Sequence, residues 1–187
     1  MDGQAFRAQT TRAALREATG TVHERLHSAP PFLALAQGRL QLSGYAALLS
    51  KLGQFYFTVA PSLAIPPSRM ALLERDLASV GAARRSVSNW NAPTHVAERL
   101  GWQYVVNGSM FGGKLIYRQL DYLLGNDEQG RRFFKGVPGA VTEWHKLCAE
   151  LEQVGAKPVT RQLMIDSALS AFATFEALLE MEEAVHV

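Results

Sequence analysis

Apolar residues recur three and four positions apart along nearly the whole chain, and no segment alternates apolar and polar residues over a strand's length. That periodicity predicts an all-α fold, because a helix brings residues i, i+3 and i+4 to one face. From Thr11 to His27 the stripe is Leu15, Ala18, Val22 and Leu26, and Pro30-Pro31 ends the helix. Ser43 is placed to cap a helix running through Leu48, Leu52 and Phe55 to Pro61. Ser68 is placed to cap another, carrying Leu72, Leu73, Leu77 and Val80. Ala82 to Pro93 reads as loop. A long helical pattern from Thr94 to Leu124 is interrupted by Gly108, Gly112 and Gly113. A short segment at Arg131 to Phe134 follows, then a helix starting near Pro138 and reaching Val154. A last helix runs from Val159 or Thr160 to Glu183, with Leu163, Ala168, Phe172, Phe175 and Leu179 near one face. The expectation is roughly six to eight helices. They form one domain over residues 1–187, with 1–9 and 184–187 as loose tails.

Composition removes several classes. The 48% apolar content supplies a full core, which excludes a disordered chain. A net charge of +2 gives no electrostatic case for nucleic acid. Cys148 is the lone cysteine, which rules out an internal disulfide framework and any zinc site needing two cysteines of this chain. Met1 to Gly20 lacks the apolar core of a signal peptide. The longest uncharged stretch, Leu52 to Ser68, holds three prolines and is too short to span a bilayer. These readings predict a soluble, cytoplasmic protein without a membrane or nucleic-acid partner.

Three features could carry chemistry. His23-Glu24-Arg25-Leu26-His27 reads H-E-x-x-H, and histidines four apart on a helix lie about 6 Å apart on one face, close enough to share a metal. A zinc hydrolase needs a third protein ligand, yet no extension supplies one, and Pro30-Pro31 cuts the helix short. The pair is then either two surface histidines or a site where one imidazole holds a metal cofactor. His23, next to Val22 at the edge of the apolar stripe, has the placement of an axial ligand to haem iron. The second feature is Gly108-Ser109-Met110-Phe111-Gly112-Gly113, three glycines that each cost a helix about 1 kcal/mol against alanine. Close helix packing through Gly108 and Gly112, a helix end and restart, or backbone lying flat against a planar ligand would each offset this. The third is Arg16, two turns before His23 and about 10 Å from it along the axis. It is either a solvated charge or a cation for a haem propionate.

Together these pieces resemble the haem oxygenase family, and the bacterial, biliverdin-forming branch found beside bacteriophytochromes most of all. The run Leu15-Arg16-Glu17-Ala18-Thr19-Gly20-Thr21-Val22-His23-Glu24-Arg25-Leu26 is similar to the family's L-R-x-A-T-x-x-x-H-x-x-L helix. Tyr104-Val105-Val106-Asn107-Gly108-Ser109-Met110-Phe111-Gly112-Gly113 is similar to its Y-V-x-x-G-S-x-x-G-G run. Phe133-Phe134 and Trp144 resemble an F-F…W segment, and Pro158 to Met181 the closing helix. The resemblance implies a single-domain helical bundle with a kinked distal helix. It implies iron protoporphyrin IX as cofactor and substrate, cleaved with O2 and external electrons to biliverdin, carbon monoxide and ferrous iron.

Carried over by position, His23 would be the proximal iron ligand and Arg16 would meet a propionate. Gly108, Gly112 and Gly113 would lie over the haem. Ser109, with Gly108, would serve the catalytic distal side. Thr19, Tyr104 and Phe175 would complete the haem contacts, with Lys146 as a substitute propionate anchor. A ferredoxin or reductase would bring electrons to a basic face at Arg131, Arg132 and Lys135, and a bacteriophytochrome would accept the bilin. His27 stands where the family has a carboxylate, and Asn107 replaces a glutamate. The alternative is a non-catalytic haem or bilin carrier on the same fold.

Overall fold

The computed structural model describes residues 9–85 and 90–181. It holds α1 (Thr11–His27), α2 (Pro30–Ala36), α3 (Leu42–Leu63), α4 (Pro67–Ser79), α5 (Val96–Gln119), α6 (Asp121–Leu124), α7 (Arg132–Lys135), α8 (Ala140–Val154) and α9 (Pro158–Glu180). Among the described residues there is no strand, as the periodicity predicts. The nine helices among the described residues exceed the expected six to eight. One reason is that Pro30-Pro31 both stop α1 and open α2, since a preset φ and a missing N–H suit a first turn. The expected tails lie outside the described residues apart from Gln9, and so do residues 86–89 of the expected loop.

Several predicted helix ends move. α3 starts behind Gln41, not Ser43, and continues past Pro61 to a left-handed Ala64 at φ 52°. α4 opens at Pro67 behind Pro66, so Ser68 sits inside it and proline replaces the hydroxyl cap. α8 begins at Ala140, after Gly139 at φ 81°, two residues beyond Pro138. α9 ends at Glu180. The glycines of α5 do not break it: helical backbone runs from Val96 to Gln119, and the interruption expected there is absent.

α9 is the axis, in contact with α1, α3 and α5. It is long and apolar enough to cross a membrane by length and composition; here Met164, Ala168, Ala171, Phe172 and Phe175 are buried against its neighbours. α5 approaches closest at Gly101, where a Cβ would stand 2.2 Å from the Met164 carbonyl oxygen and 2.9 Å from Ser167 Cβ. Backbone cannot yield as a side-chain tip can. Gly101→Ala should therefore cost about 3 kcal/mol or more by overpacking. Denaturant unfolding measures this, and a loss below about 1 kcal/mol would contradict the packing described.

α1 is pinned at both ends. Glu152 of α8 accepts from the backbone N–H groups of Thr11 (2.8 Å) and Arg12 (3.0 Å). A carboxylate there answers the free donors and the positive end of the helix dipole. At the other end Arg25 makes a two-pronged pair with Glu176 of α9, at 2.6 and 2.7 Å.

Candidate functional site

α1 and α5 both pack on α9 but barely touch each other. Between them lies a cavity of about 870 Å³. α1 lines it with Arg16, Thr19, Gly20, His23 and His27, and α5 with Tyr104, Gly108, Ser109, Gly112 and Gly113. Aromatic side chains from other elements close it: Phe55, Tyr56, Phe133, Phe134, Trp144, Phe172 and Phe175. An apolar slot with a few convergent polar groups is the usual form of a small-molecule site.

Most of the residues singled out in the sequence meet here. Arg16, Thr19, His23, Tyr104, Gly108, Ser109, Gly112, Gly113 and Phe175 all line the one cavity. Lys146 does not. It lies on the exposed face of α8, paired with Glu143 at 2.8 Å, because its helix turns Trp144 rather than Lys146 toward α5. Arg16 stands at the slot with no carboxylate partner among the described residues.

The His23 ring is set edge-on to Phe172, with centroids 6.1 Å apart, and to His27, at 4.6 Å. Burial holds its pKa below the ordinary value, His27 adds to the lowering, and Glu24 opposes it. The neutral imidazole keeps a nitrogen lone pair free for a metal. No group of three or more histidine, cysteine, aspartate or glutamate side chains among the described residues could hold a metal ion. Among the described residues the H-E-x-x-H run therefore meets no third ligand of these types.

The lowered pKa has a measurable sign. The unfolded chain takes up the His23 proton first, at a value near 6.5. Stability is complete above that pH and is lost as pH falls through the lower folded-state value. His23→Gln removes this loss. The wild type should fall relative to the variant in unfolding midpoint between about pH 7 and pH 5, whereas parallel curves would contradict it.

The three glycines of α5 divide the work. A Cβ at Gly108 would meet the Trp144 ring at 3.5 Å, and one at Gly113 the Phe134 carbonyl oxygen at 3.0 Å. A Cβ at Gly112 would meet nothing within 4 Å, because it points into the slot. Gly108 and Gly112 thus face a cavity and an aromatic ring. Gly101, not this pair, mediates the tight helix crossing.

Two residues of the site escaped the sequence reading. Tyr56 and Arg69 are buried side chains that line the cavity together. The Tyr56 Oη and Ser109 Oγ atoms are 2.6 Å apart. The Arg69 guanidinium donates to Tyr56 Oη (3.2 Å), Ser109 Oγ (3.3 Å) and the Val106 carbonyl oxygen (3.1 Å). It also stacks over the rings of Tyr56 and Phe133, 4.9 and 5.0 Å from their centroids. Arg69 is only 6% exposed and forms no ion pair among the described residues. A buried cation left without a counter-charge raises the potential of that wall.

The basic face expected at Arg131, Arg132 and Lys135 needs correction. Arg131 is 2% exposed, with its guanidinium donating to the carbonyls of Tyr117 and Gly125 and to Asp121. Lys135 instead shares a surface pocket with Lys114, Tyr117 and Arg118.

No protein-family model matches the chain, and no curated protein matches it in sequence. Solved structures do match its fold. The NO- and CO-bound haem oxygenase from Neisseria meningitidis aligns with a TM-score of 0.71 at 22% identity, over 92% of this chain and 91% of that one. The haem complex of haem oxygenase-1 from the cyanobacterium Synechocystis aligns at 0.71 and 16% identity, over 91% and 90%. Haem oxygenase from Leptospira interrogans aligns at 0.68 and 16% identity, over 91% and 98%. The chain thus has the all-α fold of bacterial haem oxygenases, with its cavity between the first helix and the glycine-bearing α5.

Proposed function

We propose that this chain is a haem oxygenase, cleaving haem with O2 and external electrons to biliverdin, carbon monoxide and ferrous iron. One observation carries the reading: the His23 imidazole of α1 and the glycines Gly108 and Gly112 of α5 line one apolar cavity, within a fold shared with haem oxygenases. The residues fit a flat iron tetrapyrrole. His23 would supply a ring nitrogen to the iron, Gly112 would leave room for the ring, the aromatic side chains of the lining would pack against it, and Arg16 would meet a propionate. Tyr104, whose phenol burial keeps protonated while the Thr19 hydroxyl opposes the shift, can donate a second hydrogen bond beside it.

Bound haem supplies the iron that activates O2 and the ring that is opened. The protein supplies position and protons. Ser109 Oγ and Tyr56 Oη stand on the α5 side of the cavity, where a hydroxyl proton can be passed to a nearby acceptor. Arg69 orients both hydroxyls and stabilises negative charge that builds against that wall. Arg69→Met keeps the bulk and removes the charge. It should lower turnover roughly 100-fold while leaving haemin affinity nearly unchanged. Full turnover by that variant would contradict the assigned role.

Electrons come from an acidic ferredoxin or reductase docking at Lys114 and Arg118, beside the Lys135–Glu128 pair. The bilin passes to an acceptor such as a bacteriophytochrome, in a soluble, cytoplasmic setting. The test of the whole reading is to supply the purified haemin complex with a reductant and O2 and to identify the products. Loss of the Soret band with biliverdin and carbon monoxide is expected. A Soret band that survives many equivalents of electrons would make the protein a carrier instead.

A further inference from the structure

Asp76 on α4 is fully buried, 0% exposed. Its Oδ2 accepts from the backbone N–H of Phe133 at 2.7 Å, and its Oδ1 has no hydrogen-bond partner among the described residues. Burial pushes its carboxyl pKa up, against the backbone N–H groups of Phe133, Arg132 and Gly130 and the charge of Arg132. A leucine at this position would avoid that desolvation cost. The carboxylate therefore calls for a reason beyond packing.

The turn it holds is also fastened elsewhere. Tyr45 Oη donates to the Gly130 carbonyl oxygen. The Arg131 guanidinium ties the same turn back to the Tyr117 carbonyl at 3.0 Å and the Gly125 carbonyl at 2.8 Å. Two buried polar side chains, Asp76 and Tyr45, thus converge on residues 130–133, and the buried Arg131 side chain ties the turn outward. That turn leads directly into the cavity wall. The Phe133 ring sits 4.8 Å from the Tyr56 ring and 5.0 Å from the Arg69 guanidinium carbon. The next carbonyl, of Phe134, lies against Gly113 of α5. Asp76 follows Arg69 by two helical turns on α4, so one helix supplies both the buried cation and the anchor of its aromatic seat.

We propose that Asp76 is a positioning residue of the cavity: by gripping the Phe133 N–H it sets the Phe133 ring beneath Arg69 and Tyr56, and so fixes the hydrogen-bonding wall and the seat of the bound ring. Its effect on ring opening rests on the haem oxygenase reading, while its effect on the polypeptide does not.

The test compares wild type with Asp76→Asn, Asp76→Leu and Phe133→Ala. In the haem-free protein, amide hydrogen exchange at Phe133 should be about tenfold faster or more in Asp76→Leu, which loses a hydrogen bond to a charged acceptor, and within about threefold of wild type in Asp76→Asn, which keeps an accepting oxygen. With haemin, reductant and O2, Asp76→Leu and Phe133→Ala should shift the ratio of ring-opened isomers in the same direction, while Asp76→Asn keeps the wild-type ratio. A folded Asp76→Leu protein with wild-type exchange at Phe133 overturns the proposal, as does a wild-type isomer ratio in Phe133→Ala. Should Asp76→Leu not fold, Asp76→Ala, which removes the acceptor without adding bulk, takes its place on the same readouts. Should the wild type bind no haemin, the oxygenase reading fails, and the exchange comparison alone still judges whether Asp76 holds the turn.

Discussion

Replacing His23 with alanine should abolish iron ligation by the protein and with it most haem affinity. On the proposed reading the iron takes the His23 imidazole of α1, and no group of three or more His, Cys, Asp or Glu side chains among the described residues could hold a metal in its place. Loss of residues that merely support a metal ligand costs roughly 10- to 100-fold; loss of the ligand itself should exceed that range. His27→Ala is the informative partner. His27 lies one turn further along α1, its ring 4.6 Å from that of His23, and it takes part in lowering the His23 pKa. Its removal should leave the ligated haem spectrum in place and change affinity by less than about tenfold. Absorption spectra of the two haemin complexes check both outcomes. A ligated spectrum that survives His23→Ala and vanishes in His27→Ala would mean the other imidazole holds the iron.

The second large effect separates folding from binding. Gly112→Leu should leave the protein folded, or make it slightly more stable, and still eliminate haemin binding. A Cβ at this position meets no atom within 4 Å, so the side chain enters the cavity rather than a neighbour. The helix gains up to about 1 kcal/mol because glycine is a poor helix former. The four added carbons occupy the space a planar ligand needs. Gly113→Ala behaves differently, since its Cβ would press on the Phe134 carbonyl at 3.0 Å and strain the α5–α7 contact. Thermal unfolding and haemin titration, run side by side, read the two terms apart. Gly112→Leu binding haemin as the wild type does would contradict the slot described.

Local patterns were readable in the sequence where they carry their own physics. The stripe of α1 and the apolar face of α9 specify helices through spacing alone, and Leu15 and Ala168 are both fully buried. Cap positions were less legible. Ser43 and Ser68 are sound capping residues by chemistry, but Pro67 fixes the start of α4 and Gln41 precedes α3. The site divides along the same line. His23 and the α5 glycines announce themselves by motif and by their cost to a helix. Tyr56 looks like one more member of an apolar stripe, and Arg69 like a surface charge near a helix start. Only the tertiary packing of α3 and α4 against α5 joins them to Ser109. Arg131 erred the other way. Beside Arg132 and Lys135 it reads as a basic face, but the turn around Gly130 draws it inward to cap carbonyls of the preceding segment. Lys146 likewise needed the rotation of α8, which gives the cavity to Trp144.

A crystal structure of the haemin complex tests the central claim most directly. The account predicts one haem per chain between α1 and α5, its iron on a ring nitrogen of His23, with the backbone at Gly112 against the opposite face. Haem bound elsewhere, or iron held by His27 with His23 turned away, would contradict it.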